Sequence, residues 1–413
     1  MKNKSSLILI FLAVFIDLIG FGILVPILPA ITSRQFHASD FEIGILVAVF
    51  SFVQFLFNPL FGEISDKKGR KPIIVACLLL SAVSYIIFAF AGSYWILLIS
   101  RTIAGLGGSS ISVAQAYIAD ITTKENRSRG MGLIGAAFAL GFVFGPLIGG
   151  LLSKFGTTVI GFSGAGFSFI AFLVTWIFLP ESHKQVAEEG TERIISHVEA
   201  VPRRRKLFDF SNLIDVLKRP AVGIVIILFF IITFSVANIF GVFSLLGFKA
   251  YHLSDLQIGL LYGTMGIFSA FSQTGLIHIL SKYLKEITII TIGAFFLLVA
   301  LVLMPYSTGF NMLAVLSGTF TIGTGLLIPT TLSLISKVTP DHEQGAVLGM
   351  NQSFAALARV LGPLWGGFSF QYFGYAFPFL TGAFFILITF VYSIFYLTNK
   401  INVDKELEQE DNS

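Results

Sequence analysis

An all-α membrane protein of twelve transmembrane helices, built as two parallel six-helix repeats, is the fold class this sequence predicts. Three observations predict it. The 413 residues are 55% hydrophobic and 12% charged, with 45 phenylalanines, more apolar side chain than a soluble protein can cover with polar surface. Continuous apolar stretches of about 18 residues or more, the length that crosses a bilayer, recur twelve times. They are unbroken rather than alternating, which argues against a β-barrel. Finally, "GPLIGG" at 145–150 returns as "GPLWGG" at 362–367, and the same offset brings Gly132 onto Gly349.

The elements follow in order. Residues 1–180 form a first six-helix bundle, with spans at 7–31, 43–63, 72–92, 94–119, 130–153 and 158–179. The first run has no small-residue cleavage site and continues through Asp17, Pro26 and Pro29, so it reads as a retained helix. Residues 181–220 are a polar linker holding "EEGTER" and "RRRK". Within it, "FSNLIDVLK" sets Phe210, Leu213, Ile214 and Leu217 on one face, the pattern of an interfacial helix. Residues 221–398 form the second bundle, with spans at 221–247, 256–280, 287–306, 310–336, 344–368 and 373–398. An acidic tail, 399–413, reads as disordered. Both Gly-Pro repeats fall in the fifth span of their half, so the repeat is parallel. That is a transporter plan, with substrate expected near the midplane between the halves.

Charge fixes the orientation. Net charge is +4, and all but Arg34, Lys154, Lys249 and the intramembrane Arg101 and Arg359 of the 27 Lys and Arg fall on one side. The positive-inside rule makes that side, with both termini, cytoplasmic in a cell (inner) membrane. The run Arg203–Lys206 then reads as a topological anchor rather than a nucleic-acid patch. The single cysteine, Cys77, forms no intrachain disulfide. No metal-ligand spacing, phosphate loop or nucleophilic triad is visible, so no enzyme activity, metal or cofactor is expected.

Four motifs carry the chemistry. "GEISDKKGRK" (62–71) joins spans 2 and 3 with Gly62, Asp66, Gly69, Arg70 and Lys71, and Gly69 permits a tight turn. In "ALGFVFGPLIGG" (139–150), Gly141, Gly145 and Gly149 share one helix face that admits a close neighbour, while Pro146 permits a bend and Gly150 extends the motif. "LISRTIAGLGG" (98–108) buries Arg101, and an intramembrane charge is a functional candidate by default. "DLIGFGILVPILP" (17–29) places Asp17 about 15 Å into the first span, near the bilayer centre. It is the sole carboxylate deep in any span. Lost hydration favours its neutral form and a nearby cation its ionised form, the balance a proton carrier needs. Arg359 lies three residues before the second Gly-Pro, with no acidic partner evident. Gln54, Asn58, Gln115, Asn238, Gln273, Asn351 and Gln352 are neutral candidates for substrate contact or for interhelical hydrogen bonds.

The turn at 62–71 closely resembles the signature loop of the major facilitator superfamily, and the motifs at 17–29, 98–108 and 139–150 resemble those of its twelve-helix drug:proton antiporters. The resemblance spans all twelve helices and is nearest to the tetracycline exporters. It implies that Asp66 latches the cytoplasmic side when the protein opens outward. It also implies that spans 1 and 4 line the cavity, where Asp17 and Arg101, at similar depth, are expected to interact. The chain departs from those exporters at Ser84 and Ser269, where they carry aspartate and histidine, and its ninth span has no carboxylate. These departures argue against tetracycline as its metal chelate. The expected function is export of small amphipathic or lipophilic molecules in exchange for protons, by a protein acting as a monomer. The alternatives are a proton-coupled sugar, metabolite or lipid carrier of the same fold, and a non-transporting receptor or scaffold.

Overall fold

The computed structural model describes residues 2–123, 126–182, 220–339 and 344–397. The expected interfacial helix at 210–217 and the tail lie outside them. The described residues form twelve helical columns. The first half holds α1 (Lys2–Leu24, resumed at Leu28–Phe36), α2 (Asp40–Lys68), α3 (Arg70–Ala89), α4 (Tyr94–Gly107, resumed at Ser110–Ile121), α5 (Arg127–Leu152) and α6 (Thr157–Phe178). The second holds α7 (Pro220–Leu245), α8 (Asp255–Phe271, carried on to Tyr283), α9 (Glu286–Leu303), α10 (Phe310–Lys337), α11 (Gln344–Phe373) and α12 (Phe377–Tyr392). Ten of the columns are long and apolar enough to cross a membrane. The other two, α8 and α11, coincide with the spans expected at 256–280 and 344–368 and are of similar length, but Gly, Ser and Gln dilute their hydropathy.

Local chemistry sets the breaks. α1 stops at Leu24 because Pro26 has no N–H to continue the ladder, and it resumes with Pro29 in the first turn, where a missing donor costs nothing. α4 is interrupted at Gly108, whose freed carbonyl accepts a hydrogen bond from Gln54 Nε2 at 2.9 Å. α2 and α8 both start in capping boxes, Ser39 with Glu42 and Ser254 with Gln257.

Within the first half α1 packs on α5 and α6, and α3 on α4 and α6; within the second α7 packs on α11 and α12, and α9 on α10 and α12. Two extensive pairings cross between them, α2 with α11 and α5 with α8, and α7 makes smaller contacts with α2 and with the second segment of α1. The buried apolar residues fall into clusters, two drawn from residues 10–179 and a third almost wholly from residues 222–386. Large apolar rings cover the outside instead, among them Trp95, Phe155, Trp176 and Phe178. An exterior of that composition is stable against lipid and not against water.

Candidate functional site

The site begins with glycines. On α5, Gly141 lies against Leu18, Gly145 against Gly22 and Gly149 against the backbone of Ile23, all on α1. A side-chain carbon at any of the three would collide with that helix. The opposite edge of the motif faces the other half: Gly150 meets Asp255 and Gly259 of α8, and the Pro146 carbonyl meets Gly259. One short motif therefore seats α5 on α1 and, across the midline, on α8.

This seating puts Asp17, the residue before Leu18 where the contact begins, in the wall of a central cavity. The chamber nearest it has a volume of about 390 Å³, and its lining includes Asp17, Gln54, Asn58, Gln115, Gln352 and Arg359. A second chamber of about 220 Å³ shares Gln54 and Arg359 and adds Arg101. A third, of about 580 Å³, lies between α5, α8 and α10 and includes Gln273. Phe21 and Phe50, at 5.1 Å between ring centres, line both of the first two chambers, and Phe142, at 6.0 Å from Phe21, lines the second and third.

Asp17 is almost fully buried and accepts a hydrogen bond from Ser168 Oγ of α6 at 2.6 Å; Ser81 of α3 supplies a second hydroxyl. Arg101 is 3% exposed, and its Nε and Nη2 have no hydrogen-bond partner. The expected contact between Asp17 and Arg101 is not made. The buried Tyr85 stands by both, beside Asp17 in the cavity wall and against Arg101 through its hydroxyl. Arg359 is exposed to the cavity and forms no ion pair among the described residues. Two of the neutral candidates sit elsewhere. Asn238 is buried in helix packing, where it donates to the Pro378 carbonyl at 2.6 Å, and Asn351 is fully buried with both amide atoms unpaired. Gln273 donates to Ser269 Oγ at 2.7 Å within α8.

The charged turn lies at one end of the molecule. Gly69, at φ +98°, joins α2 to α3 in a conformation that favours glycine. Arg70 pairs with Asp66 at 2.5 Å and donates through Nε to Asp120 at 2.9 Å and through Nη1 to Ser65 at 2.7 Å. The Glu181 carboxylate accepts the backbone N–H groups of Arg70 and Lys71 at 2.9 and 3.1 Å. An anion there meets the unsatisfied donors of the α3 N-terminus. Gly62 has open space around it, and its carbonyl accepts from Ser65 Oγ.

The opposite end is closed by a paired latch. Arg34 joins Asp255, and Lys249 joins Asp40, each pair crossing between the halves. Beneath it Gly44 and Gly367 touch, and Gly150 approaches Gly259. The two arms match in sequence: "RQFHASDFEIG" (34–44) and "KAYHLSDLQIG" (249–259) align at an offset of 215. His37 and His252 even share a left-handed backbone, at φ 50° and 49°. The cavity lies on the Asp66 side of this closure.

The family model described as Major Facilitator Superfamily matches residues 10–363 and again 226–412. The chain belongs to that superfamily. Membership points to transport rather than catalysis. Among curated superfamily relatives, the class C tetracycline resistance protein of Escherichia coli is 29% identical over 88% of this chain and 89% of its own length. Multidrug resistance protein 2 of Bacillus subtilis is 28% identical over 94% of each. The crystal structure of the human organic anion transporter MFSD10 superposes with a TM-score of 0.68 at 24% identity, covering 95% of this chain and all of that one, which confirms the major facilitator fold.

Within the superfamily site, sequence reasoning missed Ser168, Ser81, Tyr85 and Glu181. Serines and a tyrosine in apolar helices carry no spacing signal, and Glu181 sits beyond its span. The latch did carry one, the 215-residue repeat just quoted.

Proposed function

We propose that this protein exports small amphipathic, drug-like molecules across the cell membrane in exchange for protons, by alternating access of two six-helix halves, 1–180 and 221–398, joined by the linker 181–220. Both termini face the cytoplasm, and one chain is the working unit. The carrying observation is Asp17: a buried carboxylate in the cavity wall, held by Ser168 and next to Leu18, where the α1–α5 glycine contact begins. A proton or a cationic group of the substrate satisfies it, but not both, and that competition couples the two flows. Closure at the Arg34–Asp255 end corresponds to a cytoplasm-facing state. Asp66, Arg70 and Lys71 then rest in the turn, ready to meet the other half when the inner side shuts. The names of the relatives, resistance proteins for tetracycline and for multiple drugs, support an exporter of drug-like compounds.

The test is substrate-induced proton flux in proteoliposomes. Wild type moves protons with substrate; Asp17→Asn loses that flux while downhill substrate exchange continues. A mutant that keeps the wild-type proton-to-substrate ratio would overturn Asp17 as the coupling site.

A further inference from the structure

The cavity holds more positive charge than its proton chemistry uses. Arg101 and Arg359 line the same 220 Å³ chamber, which no carboxylate lines, and Arg359 also faces the chamber that holds Asp17. Arg101 is nine-tenths buried or more, with Nε and Nη2 unpaired. A buried guanidinium that meets one tyrosine hydroxyl and leaves Nε and Nη2 unpaired is costly unless something supplies further acceptors. Its planar fork of donors fits a carboxylate or similar planar anion. Phe21 and Phe50 line both chambers, and Phe142 lines the one that holds the two arginines. These surfaces suit a flat aromatic body.

We infer that the substrate is amphoteric: an aromatic body carrying an anionic group, held by Arg101 and Arg359, and a cationic group, held by Asp17. This rests on the proposed export function and narrows its substrate class. The anion answers the unpaired guanidinium, and the cation displaces the proton from Asp17. A purely anionic substrate would favour proton co-binding at Asp17 and so run against exchange. A purely cationic one would leave both arginines facing it, repelling it and unsatisfied.

The experiment uses four forms of one fluorophore on the purified full chain. ε-Dansyl-lysine is a zwitterion, its methyl ester a cation, its Nα-acetyl form an anion and the acetyl ester neutral. Equilibrium binding by dansyl fluorescence needs no proton gradient, so it is read independently of coupled export. The zwitterion is expected to bind about tenfold tighter than the cationic ester, the scale of one charged hydrogen-bonded contact. Arg359→Gln is expected to erase that preference, weakening the zwitterion by about tenfold and relieving the repulsion that the cationic ester meets. Arg359→Lys, which keeps the charge but loses the fork, is expected to retain part of it. Equal or tighter binding of the ester to wild type overturns the inference, as does an unchanged preference in Arg359→Gln. Either result leaves proton-coupled export of cations standing. Loss of substrate-induced proton flux in wild type would instead count against the export reading.

Discussion

In the first half, Gly145 and Gly149 of α5 lie against Gly22 and Ile23 of α1; in the second, Gly362 and Gly366 of α11 lie against Ala237 and Asn238 of α7. Each motif then turns its last glycine across the midline, Gly150 to α8 and Gly367 to α2. The packing is duplicated and the chemistry is not. α1 carries Asp17 into the cavity; α7 carries no acid, and its Asn238 is committed to the Pro378 carbonyl. The inner turns diverge likewise. Arg70 ties Asp66 and Asp120 together in the first half, whereas the second has an exposed Lys337–Glu286 pair beside α9. Duplicated contacts let the halves move as equals. In the proposed mechanism, divergent side chains let one half manage the proton while the other contributes Arg359.

The largest effects should come from the shared packing. Gly149→Leu and Gly366→Leu each force a branched side chain into a backbone, and overpacking of this kind costs about 1–3 kcal/mol or more. Both are expected to lower transport at least about tenfold and to reduce the yield of folded protein, to the same degree. A wild-type transport rate for one alone would break the symmetry of the comparison.

The asymmetry predicts smaller, one-sided losses. Asp66 and Glu286 both sit in exposed pairs worth only about 0–1 kcal/mol, so the resting pair does not separate them. Asp66→Asn is nevertheless expected to cut transport roughly tenfold, because it removes the carboxylate proposed to meet the other half when the inner side shuts, while Glu286→Gln stays within about twofold. Equal losses in a transport assay would show that the second-half pair gates as well. Ser168→Ala removes one hydrogen bond to a carboxylate, worth about 1.5–3 kcal/mol. A several-fold fall in proton-coupled export is expected there, against no coupling change for Asn238→Ala, whose cost appears in thermal stability. The smallest effect belongs to the outer latch. Asp40→Asn and Asp255→Asn should each shift the inward–outward balance by about 0.2–1 kcal/mol. Spin-label distances across that end measure the shift, and a clear difference between the two would mean that one arm dominates.

Much of this was legible in the sequence. Hydrophobic length gave the spans, the Gly-Pro repeat gave the two halves as an expectation, and the charged turn and Asp17 stood out because charge is scarce. Hydropathy is weakest at α8 and α11, where the glycines and amides that face the other half and the cavity lower it. The neighbours of Asp17 were not legible. Ser81 and Ser168 reach it only because α3 and α6 pack around α1, and nothing in their spacing says so. The expected Asp17–Arg101 contact failed for a similar reason: equal depth on two helices does not fix which faces meet, and Tyr85 occupies the place between them. Asn238 and Asn351 were chosen by polarity, which does not tell a cavity wall from a helix interface.

The outer latch has one more consequence. Its two ion pairs sit at the water's edge, with Arg34 and Lys249 42% and 37% exposed. Dissolved salt screens such pairs, over a Debye length of about 8 Å at physiological ionic strength and about 3 Å at 1 M. In the proposed orientation, the medium outside the cell therefore helps set how long the carrier waits before opening to it. On that reading, dilute surroundings hold the latch shut and favour loading from within; brine loosens it and hastens the outward swing. Distances across the Arg34–Asp255 end, measured at low and high external salt, read this directly, and identical distributions would show that the glycine contacts beneath hold the closure unaided.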